Sequence, residues 1–253
     1  MIILKLPLLF RKREFHFSMQ LFYNPSISEN TKDFTFDKEE SKHIIKVLRK
    51  KDGDILFVTN GLGFLFECSI VLGIETKCTV EIVRFEKSAN LPFHLHLAVA
   101  PTKMNDRFEW FLEKATEIGI SEITPIICEH SERKYIKTDR FEKILIAAMK
   151  QSNQYYLPKL NAPVLYKDFM KQSFSGQIFI AHCEETNKNS LKSLLKPQTD
   201  VTILIGPEGD FSAKEIEIAI ESDFIPISLG NTRLRTETAA IVACHSIIYV
   251  NQN

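Results

Sequence analysis

The sequence predicts an α/β protein in which a small β-rich module precedes a larger domain of alternating strands and helices. Between residues 34 and 85 the chain contains short strand-like segments separated by turn residues. After Pro92, apolar strands alternate with amphipathic helices, which is typical of a largely parallel sheet covered by helices. We therefore divide the chain into an N-terminal extension at 1–18, a barrel-like β module at 19–88 and an α/β domain at 89–253.

The β module is predicted to contain one helix and three main strands. Asp37 and Glu40 have the spacing of a helix-capping box, and apolar residues at helical spacing follow them (Ile44, Ile45 and Leu48). The polar segment at 50–54 is predicted to form a turn. Strands are predicted at 55–59, 63–70 and 77–85, with a tight hairpin turn at Asn60-Gly61 joining the first two.

The α/β domain is predicted to contain five strands and four helices. The strands lie at 95–100, 123–128, 178–182, 201–205 and 227–229. The helices lie at 107–118, 139–153, 212–221 and 236–250. Gly119 is expected to end the first helix, and Ser212 with Glu215 forms a capping box at the third. Ligands of such sheets bind at the carboxyl ends of the strands, so the loops that follow the strands are the candidate sites.

Composition and charge exclude several classes of protein. The chain has 32 basic and 32 acidic residues, which argues against a highly basic coat protein but allows local RNA-binding patches. No two cysteines have CxxC spacing, so we interpret them as buried apolar residues in a reducing compartment (Cys68, Cys78, Cys128, Cys183 and Cys244). His94 and His96 share one face of a predicted strand, but no Cys or carboxylate has a matching spacing, and we expect no metal site.

The first eighteen residues contain a short apolar run that Lys5 and Pro7 interrupt, too short to span a bilayer. Basic residues follow this run instead of preceding it, and no small-residue cleavage site is present, unlike in a secretory signal. We interpret the segment as an extension, with Met19 as the more natural start. No other long apolar stretch exists, so we expect a soluble, cytoplasmic protein with no membrane segment.

Two strand-to-helix junctions are candidates for a ligand site. At 203–212 an apolar strand runs into a Gly-Pro-Glu-Gly turn, whose backbone can approach a ligand closely. This turn is neither a GxGxxG fingerprint nor a P-loop, which disfavours nicotinamide and ATP chemistry. At 227–240 a polar loop with Arg233, Arg235 and Glu237 enters the last helix, an arrangement suited to an anionic or polar ligand. From the residues alone, each junction is also compatible with an ordinary turn or surface loop.

The two junctions contain LIGPEG at 204–209 and LGxxxLRTETA at 229–239, in this order. This pair resembles the SPOUT superfamily of knotted methyltransferases, and more narrowly the RsmE family, which methylates N3 of a uridine in 16S ribosomal RNA. Further matches extend over nearly the whole chain from Met19: His43–Arg49 with Gly53-Asp54, Lys114–Gly119, Pro125, Arg133 and Gln151-Ser152.

The resemblance implies a PUA-like RNA-binding domain followed by a SPOUT domain with a C-terminal trefoil knot. It also implies a homodimer, S-adenosylmethionine as cofactor, and 16S rRNA of the small ribosomal subunit as partner. The implied cofactor-binding residues are Leu204, Ile205, Gly206, Pro207, Glu208, Gly209, Leu229, Gly230, Leu234, Arg235, Thr236, Thr238 and Ala239. The chain departs from the family pattern at Gln20, Lys150, Gln154 and Asp210, which leaves the cofactor segments intact and affects individual RNA contacts.

Methyl transfer to N3 of uracil requires loss of the N3 proton and stabilisation of the charge on O2 and O4. We predict that Arg235 supplies the stabilising cation and that Glu237 orients Arg235 or the neighbouring backbone amides. The alternative role for Arg235 is to brace the knot. Lys103, at the end of the first α/β strand, is a second candidate for contacting substrate, and no residue is an obvious general base.

Two basic clusters are predicted to bind RNA phosphates, although each is also compatible with a solvated surface. The first contains His43, Lys46, Arg49, Lys50 and Lys51, and the second contains Arg133, Lys134, Lys137 and Arg140. Because the target base must reach an active site that cannot enter a stacked helix, we expect a flipped or unpaired nucleotide. Two alternatives remain open: another SPOUT enzyme that acts on tRNA or a ribose 2′-hydroxyl, and a catalytically silent RNA-binding or ribosome-assembly factor.

Overall fold

The computed structural model describes residues 19–184 and 188–252, so the predicted extension at 1–18 lies outside the described residues. The first sheet has five strands in the order β1-β3-β4-β5-β2. These strands are β1 (Leu21–Tyr23), β2 (Asp33–Thr35), β3 (Ile55–Thr59), β4 (Phe64–Ile74) and β5 (Lys77–Lys87). β1 pairs parallel to β3, and the other neighbours are antiparallel. The three main predicted strands of the β module are therefore confirmed.

The core of the first sheet follows from alternation along β4. Phe64, Phe66, Cys68 and Ile70 are buried at every second position, as the two-residue period of a strand requires. The predicted hairpin between β3 and β4 is confirmed, but its connection is the longer segment 60–63 and not a two-residue turn. Asn60 accounts for the difference, because its side-chain oxygen accepts the Leu62 amide at 2.9 Å and stabilises a wider loop.

One helical segment packs against this sheet. It consists of α1 (Lys38–Lys42) and a π-helical turn at His43–Val47, which together place Ile44 in the core. The Asp37 side chain accepts the Glu40 amide at 2.8 Å, so half of the predicted capping box is confirmed. The other half is wrong: the Glu40 carboxylate contacts His43 at 3.3 Å and Lys150 at 3.5 Å, where it meets cationic partners.

The second sheet has the strand order β11-β13-β10-β12-β6-β7-β8, with β9 paired to the end of β7. Its strands are β6 (Leu95–Val99), β7 (Glu122–Ile127), β8 (Lys159–Leu160), β9 (Val164–Leu165), β10 (Gln177–Ala181), β11 (Asn189–Ser190), β12 (Val201–Ile205) and β13 (Ile225–Ser228). All pairs are parallel. Each predicted strand of the α/β domain has a counterpart, and the last begins earlier than predicted, at Ile225.

Helices cover both faces of this sheet. They are α2 (Asn105–Ile118), α3 (Thr138–Gln151), α4 (Tyr166–Phe169), α5 (Leu191–Leu194), α6 (Ala213–Glu221) and α7 (Thr236–Val250). α2, α3 and α7 share one core with Leu97 and Ile203, whereas α4 and α6 share another with Ala98 and Leu204. Neighbouring residues of each central strand thus point to opposite cores.

The predicted helix ends are confirmed where local chemistry defines them. Gly119 adopts a left-handed conformation with φ 110° and ends α2, while Ser212 and Glu215 form both bonds of the capping box at α6. The short strands and the helices α4 and α5 were not predicted, because two to four residues carry too little periodicity. No helix within residues 19–184 and 188–252 combines the length and apolar character needed to cross a membrane.

Four of the five cysteines are buried, as predicted, and burial raises the pKa of Cys68 to about 12. The prediction is wrong for Cys183, which is exposed because it lies in the loop after β10. His94 and His96 both face β7, where His94 contacts Glu122 and His96 contacts Thr124. The described residues contain no group of three or more His, Cys, Asp or Glu side chains that could hold a metal ion.

Candidate active site

The carboxyl ends of four neighbouring parallel strands meet at one edge of the second sheet. Ala181 at the end of β10 pairs with Ile205 of β12 and Ile227 of β13, and Ile205 pairs with Val99 of β6. The loops after these strands therefore lie side by side, at the position where open α/β sheets bind ligands. The structure thus brings together the two junctions that the sequence identified.

The first junction forms a loop at Gly206–Phe211, here called the glycine loop, that three other segments hold in place. The Lys103 amide donates to Glu208 Oε1 at 2.9 Å. His130 Nδ1 lies 3.2 Å from the Gly209 carbonyl oxygen and 3.1 Å from that of Asp210, so this nitrogen carries a proton and donates. The Cys183 amide donates to Asp210 Oδ2 at 2.6 Å.

Close packing disfavours a side chain at two positions of this loop. A Cβ atom on Gly206 would lie 3.0 Å from the Phe211 ring, and one on Gly209 would lie 3.1 Å from Cβ of His130. These distances are shorter than ordinary van der Waals contacts, so a side chain at either position would displace its neighbour. The glycine loop is therefore shaped by the surrounding fold.

The second junction forms a loop at Leu229–Arg235, here called the arginine loop, that is mostly exposed. The Ser228 hydroxyl donates to the Gly230 carbonyl oxygen at 2.9 Å. Gly230 has φ 148°, and a Cβ atom there would meet nothing within 4 Å. Directly after the loop, the Thr236 hydroxyl donates to the Gly206 carbonyl oxygen at 3.0 Å, which joins the two junctions.

The N-terminus of α7 lies where these loops meet. Arg235 is its N-cap residue and makes no side-chain cap hydrogen bond. A helix N-terminus presents backbone amides that an anionic group can satisfy, and the aligned peptide dipoles favour negative charge there. This end of α7 can therefore receive a carboxylate or another electron-rich group.

At this site, two buried carboxylate oxygens have no hydrogen-bond partner among the described residues. They are Glu208 Oε2 in the glycine loop and Glu237 Oε2 in the first turn of α7. The other oxygen of Glu237 lies 3.9 Å from Arg107 Nε on α2. Buried polar atoms are nearly always hydrogen-bonded. Two unpartnered acceptors where the glycine loop meets α7 therefore indicate a site for a ligand that donates hydrogen bonds.

Two residues near the site were not among the predicted site residues. Arg107 was not predicted, because it lies on a different helix from Glu237 and no motif links the two. His182 follows β10 and is 7% exposed, and both of its ring nitrogens are buried without a partner among the residues that the structure describes. Burial, reinforced by Lys188, lowers the pKa of His182, which keeps the ring neutral near pH 7. Its position at the carboxyl end of a predicted strand could have identified it.

The predicted cofactor residues differ in exposure. Leu204 to Pro207 and Thr236 are buried, Leu229, Leu234, Thr238 and Ala239 are half-buried, and Gly209 and Gly230 are exposed. Among the predicted catalytic residues, Arg235 is exposed and Glu237 is buried. The Lys103 side chain is turned to Glu132 at 2.7 Å, and this hydrogen-bonded carboxylate raises the pKa of Lys103.

Both predicted RNA-binding clusters border open clefts. Arg49, Lys50 and Lys51 line a cleft of about 540 Å³ on the β module, together with Ile45, Asp52 and Gly73. In this cluster Lys46 is also exposed, whereas His43 is half-buried and held by Glu40. Arg133, Lys134 and Arg140 line a second cleft of about 720 Å³ that also contains Lys103. The second cleft adjoins the glycine loop through the Lys103 amide.

Comparison with known proteins gives two family matches and several similar chains. The family described as RNA methyltransferase domain matches residues 89–248, and that described as RNA methyltransferase PUA domain matches residues 36–83. The ribosomal RNA small subunit methyltransferase E of Buchnera aphidicola is 34% identical over 83% of this chain and 85% of its own length.

Two solved structures resemble the whole described fold. A probable rRNA-methyltransferase from Porphyromonas gingivalis has 38% identity and a TM-score of 0.86, covering 92% of this chain and 98% of its own. A protein from Legionella pneumophila, provisionally named a methyltransferase and solved with the bound cofactor SAM, has 29% identity and a TM-score of 0.82 with the same coverage, 92% and 98%.

Proposed function

The chain belongs to the ribosomal RNA small subunit methyltransferase E family, and on that premise we propose that it transfers a methyl group from S-adenosylmethionine to N3 of a uridine in 16S rRNA. The observation that carries this proposal is the meeting of the glycine loop and α7, where Thr236 bonds to Gly206 beside two buried unpartnered carboxylate oxygens. The PUA-domain match supports RNA as the substrate.

The site has the polar groups that S-adenosylmethionine requires. This cofactor supplies an electrophilic methyl group on a sulfonium centre, and it carries ammonium and hydroxyl donors together with a carboxylate. Glu208 Oε2 and Glu237 Oε2 are acceptors without partners, and the uncapped start of α7 can receive a carboxylate. We assign the cofactor to Leu204–Gly209 of the first junction and to Leu229, Gly230 and Leu234–Ala239 of the second.

For the chemical step we propose that Arg235 stabilises the charge that develops on the uracil oxygens. Its side chain is exposed at the N-terminus of α7 and forms no ion pair among the described residues, so its guanidinium is free to meet the substrate. Glu237 forms an ion pair with Arg107 on α2, and we propose that its second oxygen accepts a hydrogen bond from the cofactor. Because the arginine loop is open to solvent, the N3 proton can leave to water.

We also propose that the C-terminal part of the chain forms the trefoil knot of the SPOUT superfamily. The proposal rests on the resemblance to the SPOUT superfamily, and the return of the chain after β13 to bond at Gly206 agrees with it. The proposed domains remain 19–88 and 89–253, a division that the end of β5 at Lys87 supports.

A homodimer is proposed through the outer face of α7. This helix is apolar on nearly all sides. Besides its buried residues, it carries Ile241 and Val242, which are half-buried, and Tyr249, which is 66% exposed. A helix that is apolar all round is normally buried, so its outer face is suited to a second copy of the chain. We propose the cytoplasm as its location, because the proposed substrate is ribosomal RNA.

Mass spectrometry of 16S rRNA nucleosides, with and without the gene, tests the proposed reaction. We expect 3-methyluridine to disappear without the gene and to return with the wild-type gene, but not with Arg235→Ala. An unchanged 3-methyluridine level contradicts the proposal. A change in tRNA nucleosides or in 2′-O-methylation identifies a different SPOUT activity, and failure to bind S-adenosylmethionine identifies a silent assembly factor.

A further inference from the structure

The cleft beside the glycine loop lies between the start of α2 and the connection from β7 to α3, at 128–137. Two contacts fix it to the proposed active site: the Lys103 amide bonds to Glu208, and His130 bonds to the Gly209 carbonyl oxygen. Within this connection, the Ser131 hydroxyl oxygen accepts the Cys128 amide at 2.9 Å. A nucleotide in this cleft would therefore lie next to the proposed cofactor loops.

Tyr135 is the aromatic side chain of this cleft, and it is 76% exposed. The backbone on both sides is held, because Ile136 is buried in the main core and Arg133 Nε donates to the Tyr135 carbonyl oxygen at 3.2 Å. Within the described parts of the chain, its ring stacks on no other aromatic side chain. A ring presented from a fixed backbone loses little conformational freedom when a flat partner stacks on it.

The cations of the cleft surround this ring. Lys103 is paired with Glu132 and Arg140 with Glu109, whereas Arg133 and Lys134 form no ion pair among the described residues. Two carboxylates, Asp106 and Glu132, also line the cleft, so the cations remain in excess. An exposed aromatic ring flanked by unpaired cations is the combination that binds single-stranded nucleic acid, through base stacking and phosphate contacts.

We propose that this cleft is a subsite for unpaired RNA, in which Tyr135 stacks on the base of a nucleotide adjacent to the target uridine while Arg133 and Lys134 contact the phosphates. The inference rests on the proposed function and extends it, because it specifies single-stranded RNA at this surface. A base inside a duplex is covered by its neighbours, so a stacking platform selects an unpaired segment.

The test measures binding of a single-stranded oligouridylate to full-length variants by fluorescence anisotropy, beside a control oligonucleotide with abasic sites. Tyr135→Ala is expected to weaken oligouridylate binding about tenfold, equivalent to about 1.4 kcal/mol. Tyr135→Trp is expected to keep the affinity, and Tyr135→Leu to lose most of it, since leucine is apolar but has no π-face. Binding of the abasic oligonucleotide is expected to be the same for wild type and Tyr135→Ala.

Lys134→Ala is the matched control for the phosphate contacts. It is expected to weaken binding of both oligonucleotides and to reduce the salt slope by about 1. Equal oligouridylate affinity of Tyr135→Ala and wild type overturns the proposal. It is also overturned if Tyr135→Ala loses the same affinity for the abasic oligonucleotide as for oligouridylate. A third contradicting result is polyglutamate that displaces oligouridylate as well as unlabelled RNA does.

Methyl transfer to small-subunit rRNA separates this inference from the proposed function. If Tyr135→Ala methylates RNA as fast as wild type at limiting RNA concentration, the proposal of a subsite is wrong, whereas the proposed methyltransferase activity is unaffected. If the wild type transfers no methyl group although oligouridylate binding still depends on Tyr135, the proposed function is wrong and the binding surface stands. Equal S-adenosylmethionine affinity of the variants confirms that folding is unaffected.

Discussion

The glycine loop and the arginine loop form opposite sides of one proposed cofactor site, yet the fold holds them differently. Lys103, His130 and Cys183, from three different segments, bond to the glycine loop, and Phe211 packs on Gly206. The arginine loop is largely exposed. The Ser228 hydroxyl bonds to its Gly230, Leu229 packs against the main core, and Thr236, directly after the loop, bonds to Gly206.

Because the two loops are held differently, substitutions in them are expected to have different effects on stability and on function. A substitution in the glycine loop disturbs hydrogen bonds and packing that exist without any ligand, so it is expected to lower both stability and cofactor affinity. A substitution in the arginine loop meets mainly solvent, so it is expected to affect ligand binding or turnover alone. The following variants test this separation.

Arg235→Ala should have the largest effect and should spare the fold. Removal of a cation that stabilises developing charge costs about 10²–10³ in kcat. Because Arg235 is exposed, we expect the free energy of unfolding to change by less than about 0.5 kcal/mol. Single-turnover methylation and thermal unfolding measure the two quantities. Arg233→Ala, in the same loop, is the control. If Arg233→Ala lost as much turnover as Arg235→Ala, the specific role of Arg235 would be contradicted.

Gly206→Ala should affect both properties. Its new methyl group would meet the Phe211 ring at 3.0 Å, and overpacking of this kind costs about 1–3 kcal/mol of stability. The shifted loop should also lower S-adenosylmethionine affinity, measured by isothermal titration calorimetry. Wild-type stability together with wild-type affinity in this variant would show that the glycine loop is not fixed by its neighbours.

Glu237→Gln and Glu208→Gln compare one buried acceptor from each side of the site. Loss of a charged hydrogen-bond acceptor should weaken S-adenosylmethionine binding by about tenfold in each variant. Glu208→Gln should also lower the melting temperature slightly, because a neutral amide oxygen accepts the Lys103 amide more weakly than the Glu208 carboxylate does. Glu237→Gln should leave the melting temperature unchanged or raise it, since it removes a buried charge. Unaltered affinity in both variants would place the cofactor elsewhere.

Thr236→Val should have the smallest effect, because it removes the single hydrogen bond between the two junctions. The Gly206 carbonyl oxygen is buried and would lose its donor, at a cost of about 1 kcal/mol in the free energy of unfolding. Chemical denaturation measures this cost. Thr238→Val, two residues along the same helix, provides the control. If both variants lose the same stability, the Thr236 bond does not specifically connect the junctions.

Much of the fold could be predicted because its signals are local. Short apolar runs beside turn residues placed the strands at Ile55–Thr59 and Val201–Ile205, both with the bounds observed. The final helix, Thr236–Val250, and the capping box at Ser212 and Glu215 depend on residues close together in the chain. The same local reasoning was wrong at Glu40, where a distant partner, Lys150, competes for the carboxylate.

The site could be predicted only in part. The two loops were identified by their residues and by their resemblance to a family, because glycines and arginines at strand ends are visible in the sequence. The contacts of Arg107 with Glu237, His130 with Gly209 and Cys183 with Asp210 were not predicted. Each joins segments from different strands, and their proximity depends on the order of strands in the sheet.

The sequence by itself determined the types of the longer strands and helices, the helix ends that Gly119 and the Ser212 capping box define, the position of the two loops and the family to which the chain belongs. Only the tertiary structure decided that one loop is held rigidly while the other faces solvent, and that Tyr135 lies in a cationic cleft beside them. The physical reason is that backbone propensity and capping act between near neighbours, whereas burial and hydrogen bonding of a loop depend on whichever distant segments the folded sheet brings against it.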